Sequence, residues 1–337
     1  MIARRYFLLP MKKRTFGKSG EEVSEIGLGC WQLGGADWGD ISKQSALDIL
    51  NAAADTGVTF LDAADVYGSG RSESVINTFL RQRPEKFFVA TKFGRTDDLY
   101  PDKYTEAGVR AATEASLRRL GVEAIDLTQL HCIPLAELRK GEIFGWLQKL
   151  QQEGKIRHFG ASVETTEEAL VCLEHEGLAS LQIIFNIFRQ SPIMELFPAV
   201  KSKGVAIIVR LPLASGLLTG KFTKDTIFGE KDHRNFNRDG QFFSVGETFA
   251  GLPFDKGVEL ATEMKDFVPE SLTMVQMAQR WILDHDEVTV VIPGASTPEQ
   301  ASVNSSVSEL PELPAQLHAR LAFYYRTQVA PHIRCEY

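Results

Sequence analysis

No block of basic residues stands in this 337-residue chain beyond Lys12 to Arg14, and its 37 Lys and Arg are outnumbered by 44 Asp and Glu. A formal charge of −7 leaves no electrostatic footprint for a nucleic-acid backbone or an anionic membrane, so neither is an expected partner. Long apolar runs are missing as well. The first ten residues carry two arginines and an apolar stretch too short for a signal segment and far too short for a spanning helix, so a soluble cytoplasmic protein is expected. Met11 offers a second plausible start, and residues 1–10 read as a disordered leader ahead of a single domain over 11–337.

Cysteine is sparse: Cys30, Cys132, Cys172 and Cys335 lie far apart with no CxxC pair. That spacing suits neither a disulfide scaffold nor a zinc knuckle. His131 and Cys132 are neighbours, but adjacent residues of a strand point to opposite faces, so no metal site is expected there. A dinucleotide fingerprint is also absent, because GLGCWQ lacks the last glycine of GxGxxG and GSGRSE follows a loop rather than a strand.

What the chain does have is a repeating alternation of short apolar runs with amphipathic stretches of helical period. The runs predict strands near Glu25 to Cys30, Thr59 to Asp62, Phe87 to Lys92, Ile125 to His131, His158 to Ser162, Leu181 to Asn186, Ala206 to Arg210 and Val288 to Pro293. Between them the pattern predicts helices over Lys43 to Asp55, Ser72 to Arg81, Thr105 to Leu120, Phe144 to Glu153, Thr166 to His175, Ile193 to Lys203 and Leu272 to Asp284. Eight strand–helix units over a chain with 44% hydrophobic residues fit a closed (β/α)₈ barrel of the α/β class better than a doubly wound sheet. Two features exceed a bare barrel: the stretch from Thr219 to Pro253 after the seventh strand, and a carboxyl-terminal helical segment from Pro311 to Arg326. An insertion of that length usually serves function.

Reactive groups in such barrels sit at the carboxyl ends of strands. The second strand delivers Asp62 there, with Tyr67 in the following loop; the third delivers Lys92; the fourth delivers His131. A phenol is a weak acid at neutral pH, and a nearby ammonium lowers its pKa. Lys92 would supply that ammonium, and Asp62 would pay for burying it. His131, neutral, would hydrogen-bond and orient a substrate oxygen. Each residue alone is ordinarily a rim or packing residue; their joint occurrence is the signal.

The ordered set DAADVYG, TKFG and TQLHC resembles the signature of the aldo-keto reductases, in a bacterial branch related to the potassium-channel β-subunit-like members. The resemblance runs from GLGCWQLGG to IPGASTPEQ. It implies a catalytic tetrad of Asp62, Tyr67, Lys92 and His131, and reversible NAD(P)H-dependent reduction of an aldehyde, ketone or sugar carbonyl. Trp31 and Trp38 are implied as pocket walls, Trp31 beside the cofactor as well.

The cofactor clamp implied by the resemblance lies in the loops after strands 7 and 8. Backbone around Pro212, Leu213, Ser215 and Leu217 and the helix starting at Thr297 would meet the phosphates, with Lys221 and Arg234 adding charge. Gly294, Ser296, Gln300 and Asn304 match the adenosine-gripping segment, and Ser162 and Gln182 the carboxamide partners. Two departures stand out: Val163 where the family often has Asn, and Arg210 where an aromatic residue usually stacks on the nicotinamide. NADP(H) is favoured over NAD(H), although Gly294 and Gln300 occupy positions where relatives often carry a cation. A regulatory module that senses the cofactor with little turnover is the alternative. A metal-dependent or two-carboxylate hydrolase is disfavoured, because the strand ends supply neither ligand cluster nor acid pair.

Overall fold

The inward-facing residues of successive strands change character along the sheet, and that change positions the site. Strands β3 (Leu28–Gly29), β4 (Phe60–Asp62), β5 (Phe88–Phe93), β6 (Ile125–His131), β7 (Ile156–Ser162), β8 (Leu178–Ile184), β9 (Ala206–Arg210) and β10 (Val288–Val291) pair in parallel in chain order. The structure, a computed structural model, describes residues 11–35 and 38–337; the expected leader over 1–10 lies outside the described residues. Backbone bonds from Gly27 to Val291 O (2.8 Å) and from Gly29 to Pro293 O (3.1 Å) join the first barrel strand to the last and close the ring. The expected (β/α)₈ barrel is therefore present.

Side chains alternate across a strand with period two. One phase places Phe60, Phe88, Ala90, Leu127, Ile208 and Val290 in a single buried apolar cluster inside the ring. Continuing the same phase toward the carboxyl ends gives Asp62, Lys92, Gln129, His131, Ser162, Gln182 and Arg210. The barrel is thus filled with hydrocarbon at one end and with polar groups at the other. Its outer apolar phase packs under the helices in a second, larger cluster.

At the amino-terminal end an unanticipated hairpin, β1 (Lys13–Thr15) and β2 (Glu22–Ser24), plugs the ring. Phe16 stands between its strands, fully buried, with its ring 4.8 Å from Phe88 and 6.1 Å from Phe60. Arg14 fastens the plug by donating to Val288 O (2.6 Å) and Leu283 O (2.5 Å) and pairing with Glu25 (3.0 Å). Three-residue strands carry too little pattern to register as strands in a sequence.

The surrounding helices are α1 (Lys43–Asp55), α2 (Arg71–Leu80), α3 (Glu106–Leu120), α4 (Leu135–Lys140), α5 (Glu142–Gln152), α6 (Thr166–Leu173), α7 (Leu196–Lys203), α8 (His233–Phe236), α9 (Phe254–Glu263), α10 (Met274–Leu283), α11 (Pro298–Ser305) and α12 (Ala315–Tyr324). Ser42, Thr105, Thr165, Thr273 and Thr297 cap α1, α3, α6, α10 and α11 by accepting a bond from a backbone N–H of the first turn. The helices α4, α8 and α9 were not anticipated. The first two are single turns or little more, and α9 falls just after the long insertion.

That insertion is not a featureless loop. Phe222, Phe228, Phe249 and Phe254 form an aromatic cluster with ring centroids 4.9–6.1 Å apart. The hydroxyl of Ser215 donates to Glu247 O (3.2 Å) and accepts from Phe249 N (3.2 Å), pinning the loop to the end of β9. From the carboxyl-terminal segment Arg334 pairs with Asp239 (2.6 Å) and donates to Gly251 O (3.1 Å). Among the described residues, no helix is long and apolar enough to cross a membrane.

Candidate active site

Asp62 ends β4, Lys92 lies one residue before the end of β5, and His131 ends β6, so three adjacent strands present them on one rim. Parallel register sets Lys92 opposite Gln129, and His131 opposite Ser162, which in turn faces Gln182. Tyr67 follows β4 in a loop pressed against the loop after β3. A Cβ on Gly68 (φ +58°) would meet Gly34 O at 2.1 Å, and one on Gly34 would lie 2.7 Å from the Tyr67 carbonyl carbon. Backbone approach that close requires glycine on both sides.

The Lys92 ammonium donates to Asp62 Oδ2 (2.6 Å), to Ala63 O (2.8 Å) and to the Tyr67 hydroxyl (3.1 Å). The other Asp62 oxygen accepts from Gln182 (2.8 Å) and Gln129 (3.2 Å), so the carboxylate is fully partnered. Lys92 is 1% exposed. Burial alone would lower its pKa, yet the Asp62 and Tyr67 contacts outweigh it and raise the pKa above the ordinary lysine value.

Tyr67 corrects a detail of the expectation. Burial raises its pKa more than the Lys92 ammonium lowers it, so the net shift is upward. The phenol keeps its proton at neutral pH, and Lys92 limits the rise rather than producing a phenolate. The His131 imidazole stands edge-on to the Tyr67 ring, 5.9 Å between centroids at 85°. Burial, reinforced by Arg95 and Lys92, drives its pKa well below the ordinary histidine value, so it is neutral, and its Nδ1 has no hydrogen-bond partner within the protein.

A cavity of about 750 Å³ opens from Asp62 and Tyr67 toward the amino end of α11. Of the expected cofactor residues, Trp31, Gln182, Arg210, Pro212, Leu213, Ser215, Lys221, Arg234, Gly294, Ser296, Gln300 and Asn304 all line it, and so does Trp38. Trp31 lies parallel to the Tyr67 ring at 5.7 Å and edge-on to Trp38 at 5.5 Å. His233 of α8 and Phe243 bring the insertion against Trp31, at 4.8 Å and 6.4 Å between ring centroids.

Lys92 and His131 stand behind the cavity lining, and three of the expected cofactor residues do not reach it either. Leu217 is fully buried against Gly257. Thr297 serves as the cap of α11. Ser162 stands behind the wall, its hydroxyl donating to Gln182 Oε1 (3.5 Å). Arg234 lines the cavity but is held by both Asp232 oxygens, at 2.9 and 2.6 Å, and lies over Trp38 and Phe228. Lys221 is exposed. Around Leu211, Ala214 and Ser215 the backbone is left-handed, with φ of 52°, 48° and 55°, followed by Gly216 at 101°. Such a winding turns amides toward a common side, a geometry that suits phosphate oxygens.

Sequence reasoning missed Glu247, which the insertion buries beside His131 and which contacts Arg95 (3.4 Å) and Arg210 (3.5 Å). Glu164 pairs with Arg95 at 3.1 Å from the loop after β7. No local motif connects residues this far apart in the chain, so nothing in the sequence announced the group.

The sequence model of the Aldo/keto reductase family matches residues 25–324. The chain is 30% identical over 298 residues to the uncharacterized oxidoreductase YqkF of Bacillus subtilis, covering 87% of this chain and 90% of that protein. It is 28% identical to the NADH-specific methylglyoxal reductase of Escherichia coli, over 87% and 92% of the two chains. Among solved structures it superposes on the glycerol dehydrogenase AKR11B4 of Gluconobacter oxydans with a TM-score of 0.77 at 29% identity, covering 97% of each chain.

Proposed function

This chain belongs to the aldo/keto reductase family, and from that premise we propose that it reversibly reduces the carbonyl of an aldehyde, ketone or sugar to an alcohol, with NADP(H) as cofactor and Tyr67 as proton donor. The reading rests on one observation above the others: the Tyr67 hydroxyl 3.1 Å from an ammonium that is itself 2.6 Å from Asp62.

When bound, the cofactor supplies the hydride. The chain's own residues do the rest. Tyr67 gives its proton to the carbonyl oxygen as charge develops there, and Lys92 stabilises the phenolate left behind. Asp62 keeps Lys92 charged, while the glutamine pair Gln129 and Gln182 keeps Asp62 in place. Neutral His131 donates to the same oxygen and fixes its position. In the oxidation direction Tyr67 is the base.

The cavity, about 750 Å³ in volume, falls in the size range of cofactor sites. Its left-handed backbone around Ser215 and the capped amino end of α11 would meet the phosphates, and Gln182 the carboxamide. Exposed Lys221, with Ser296 and Gln300, would favour a 2′-phosphate, which places NADP(H) ahead of NAD(H); the Asp232 clasp on Arg234 weakens that residue's part in the preference. Methylglyoxal reductase and glycerol dehydrogenase among the similar proteins point to small carbonyl compounds and polyols as the first substrates to try.

The test is fluorescence titration with NADPH and NADH, followed by turnover on a carbonyl panel with wild type and Tyr67→Phe. The variant should lose reduction by at least about a hundredfold while cofactor affinity stays close to that of wild type. Undiminished turnover in the variant would overturn the assignment of Tyr67. Cofactor binding without turnover of any carbonyl would favour the sensing module instead.

A further inference from the structure

Arg210 is the last residue of β9 and lines the same cavity as Tyr67, Asp62 and Gln182. Its guanidinium is fixed from behind. One nitrogen donates to Val163 O (3.1 Å) and to Cys132 Sγ (3.5 Å), and another stands 3.5 Å from Glu247 Oε1. Glu247 comes from the long insertion, and its carboxylate is shared with Arg95 at 3.4 Å. Burial opposes its charge, but Arg95 and Arg210 outweigh burial and hold it ionised.

The remaining charges do not cancel this pair of cations. Glu164 lies 3.1 Å from Arg95, but burial and the Glu247 carboxylate push its pKa up, so it is the weaker counter-charge of the two acids. Arg189 donates to the carbonyls of Glu164 (2.8 Å) and Gly246 (3.4 Å) and adds positive charge from the far side. Lys92 is matched by Asp62. Three guanidiniums, Arg95, Arg189 and Arg210, are thus gathered around two carboxylates, of which Glu164 has a raised pKa, and of the five only Arg210 lines the cavity.

A dihydronicotinamide is neutral and its oxidised form carries one positive charge on the ring. We propose that Arg210 makes this cavity bind the reduced cofactor in preference to the oxidised one, and that Glu247 acts through Arg210 as a positioning residue that limits the bias. The inference rests on the nicotinamide reading above. A ring able to pass a hydride to a carbonyl held by Tyr67 occupies the part of the cavity that Arg210 also lines. A cation fixed there repels the oxidised ring and leaves the neutral one unaffected. Neutralising Arg210 relieves that repulsion, and neutralising Glu247 together with Glu164, which would otherwise ionise in its place, increases it.

The two variants therefore move one ratio in opposite directions, which a general loosening of the site cannot do. Dissociation constants for NADP⁺ and NADPH are measured separately on the full chain for wild type, Arg210→Met, Arg210→Lys and the double variant Glu164→Gln/Glu247→Gln, with circular dichroism to verify folding. The ratio Kd(NADP⁺)/Kd(NADPH) should fall by about tenfold in Arg210→Met, rise by a similar factor in the double variant and stay near wild type in Arg210→Lys. Should the double variant fail to fold, the two Arg210 variants decide the matter between them. A ratio unchanged in Arg210→Met overturns the inference while leaving the enzyme reading intact. Failure of wild type to bind either form overturns the nicotinamide reading itself, and the inference with it.

Discussion

Asp65 shows how sharply a single carboxylate can differ from its neighbour three residues away. Asp62 has three contacts, one each from Lys92, Gln129 and Gln182, whereas the Oδ1 of Asp65 is buried without a partner. Burial, with Glu73 nearby, pushes the pKa of Asp65 up to about 7. Between its unfolded value and that raised value the folded chain binds the extra proton, so stability contributed by the neutral acid is present at low pH and declines as pH rises toward 7. Asp65→Asn should raise the urea-unfolding free energy by about 1–3 kcal/mol at pH 8 and leave it nearly unchanged at pH 4. An equal effect at both pH values would show that titration is not the cause.

At this scale the sequence carried the four residues of the candidate site but not their surroundings. Tyr67, Lys92, Asp62 and His131 stand in short, dense motifs at strand ends. The group of Arg95, Glu164 and Glu247 around Arg210 is assembled from three loops and the end of β9, and those three look like ordinary surface charges until the fold buries them. The direction of the Tyr67 shift was misjudged for a similar reason: the ammonium is visible in the sequence as a residue, while the desolvation opposing it exists only once the loops close.

Among the elements, the interlocked loops after β3 and β4 matter most, because Tyr67 has no strand of its own. Its position depends on Gly34 and Gly68 lying backbone against backbone. Gly34→Ala should displace the Tyr67 backbone and lower kcat by roughly ten- to a hundredfold, with cofactor affinity little changed. A proportionate loss of cofactor affinity would mean that the cavity, not the phenol, had moved. Strand boundaries were legible where the apolar alternation is sharp: β6 and β9 match the expected bounds to the residue, whereas β7 starts two residues before the expected His158, and β8 starts three before the expected Leu181 and ends two before the expected Asn186. Exposed Arg157 and polar Ser180 break the apolar pattern there. The hairpin β1–β2 and the helices α4 and α8 were too short to have a measurable period.

For the whole molecule, the eight-unit count that identified a barrel was sufficient, and closure followed from it. What the count could not reveal is how unevenly the ring is joined. β3 is two residues long and meets β10 through isolated bridges at Ile26 and Gly29, whereas β6 and β7 share six register pairs. Hydrogen exchange should therefore find the amides of Gly27, Gly29 and Val291 exchanging faster than those of Gln129 and Ala161. Uniform protection around the ring would contradict this.

Gly29, Cys30, Ile292, Pro293 and Gly294, which flank that joint, also line the cavity. Whatever fills the cavity thus spans the thinnest seam of the cylinder like a suture, touching both of its lips at once. Occupancy would be felt far from the chemistry, as a tightening of the whole hoop, and the emptied protein would part first along the very line where its ligand had lain.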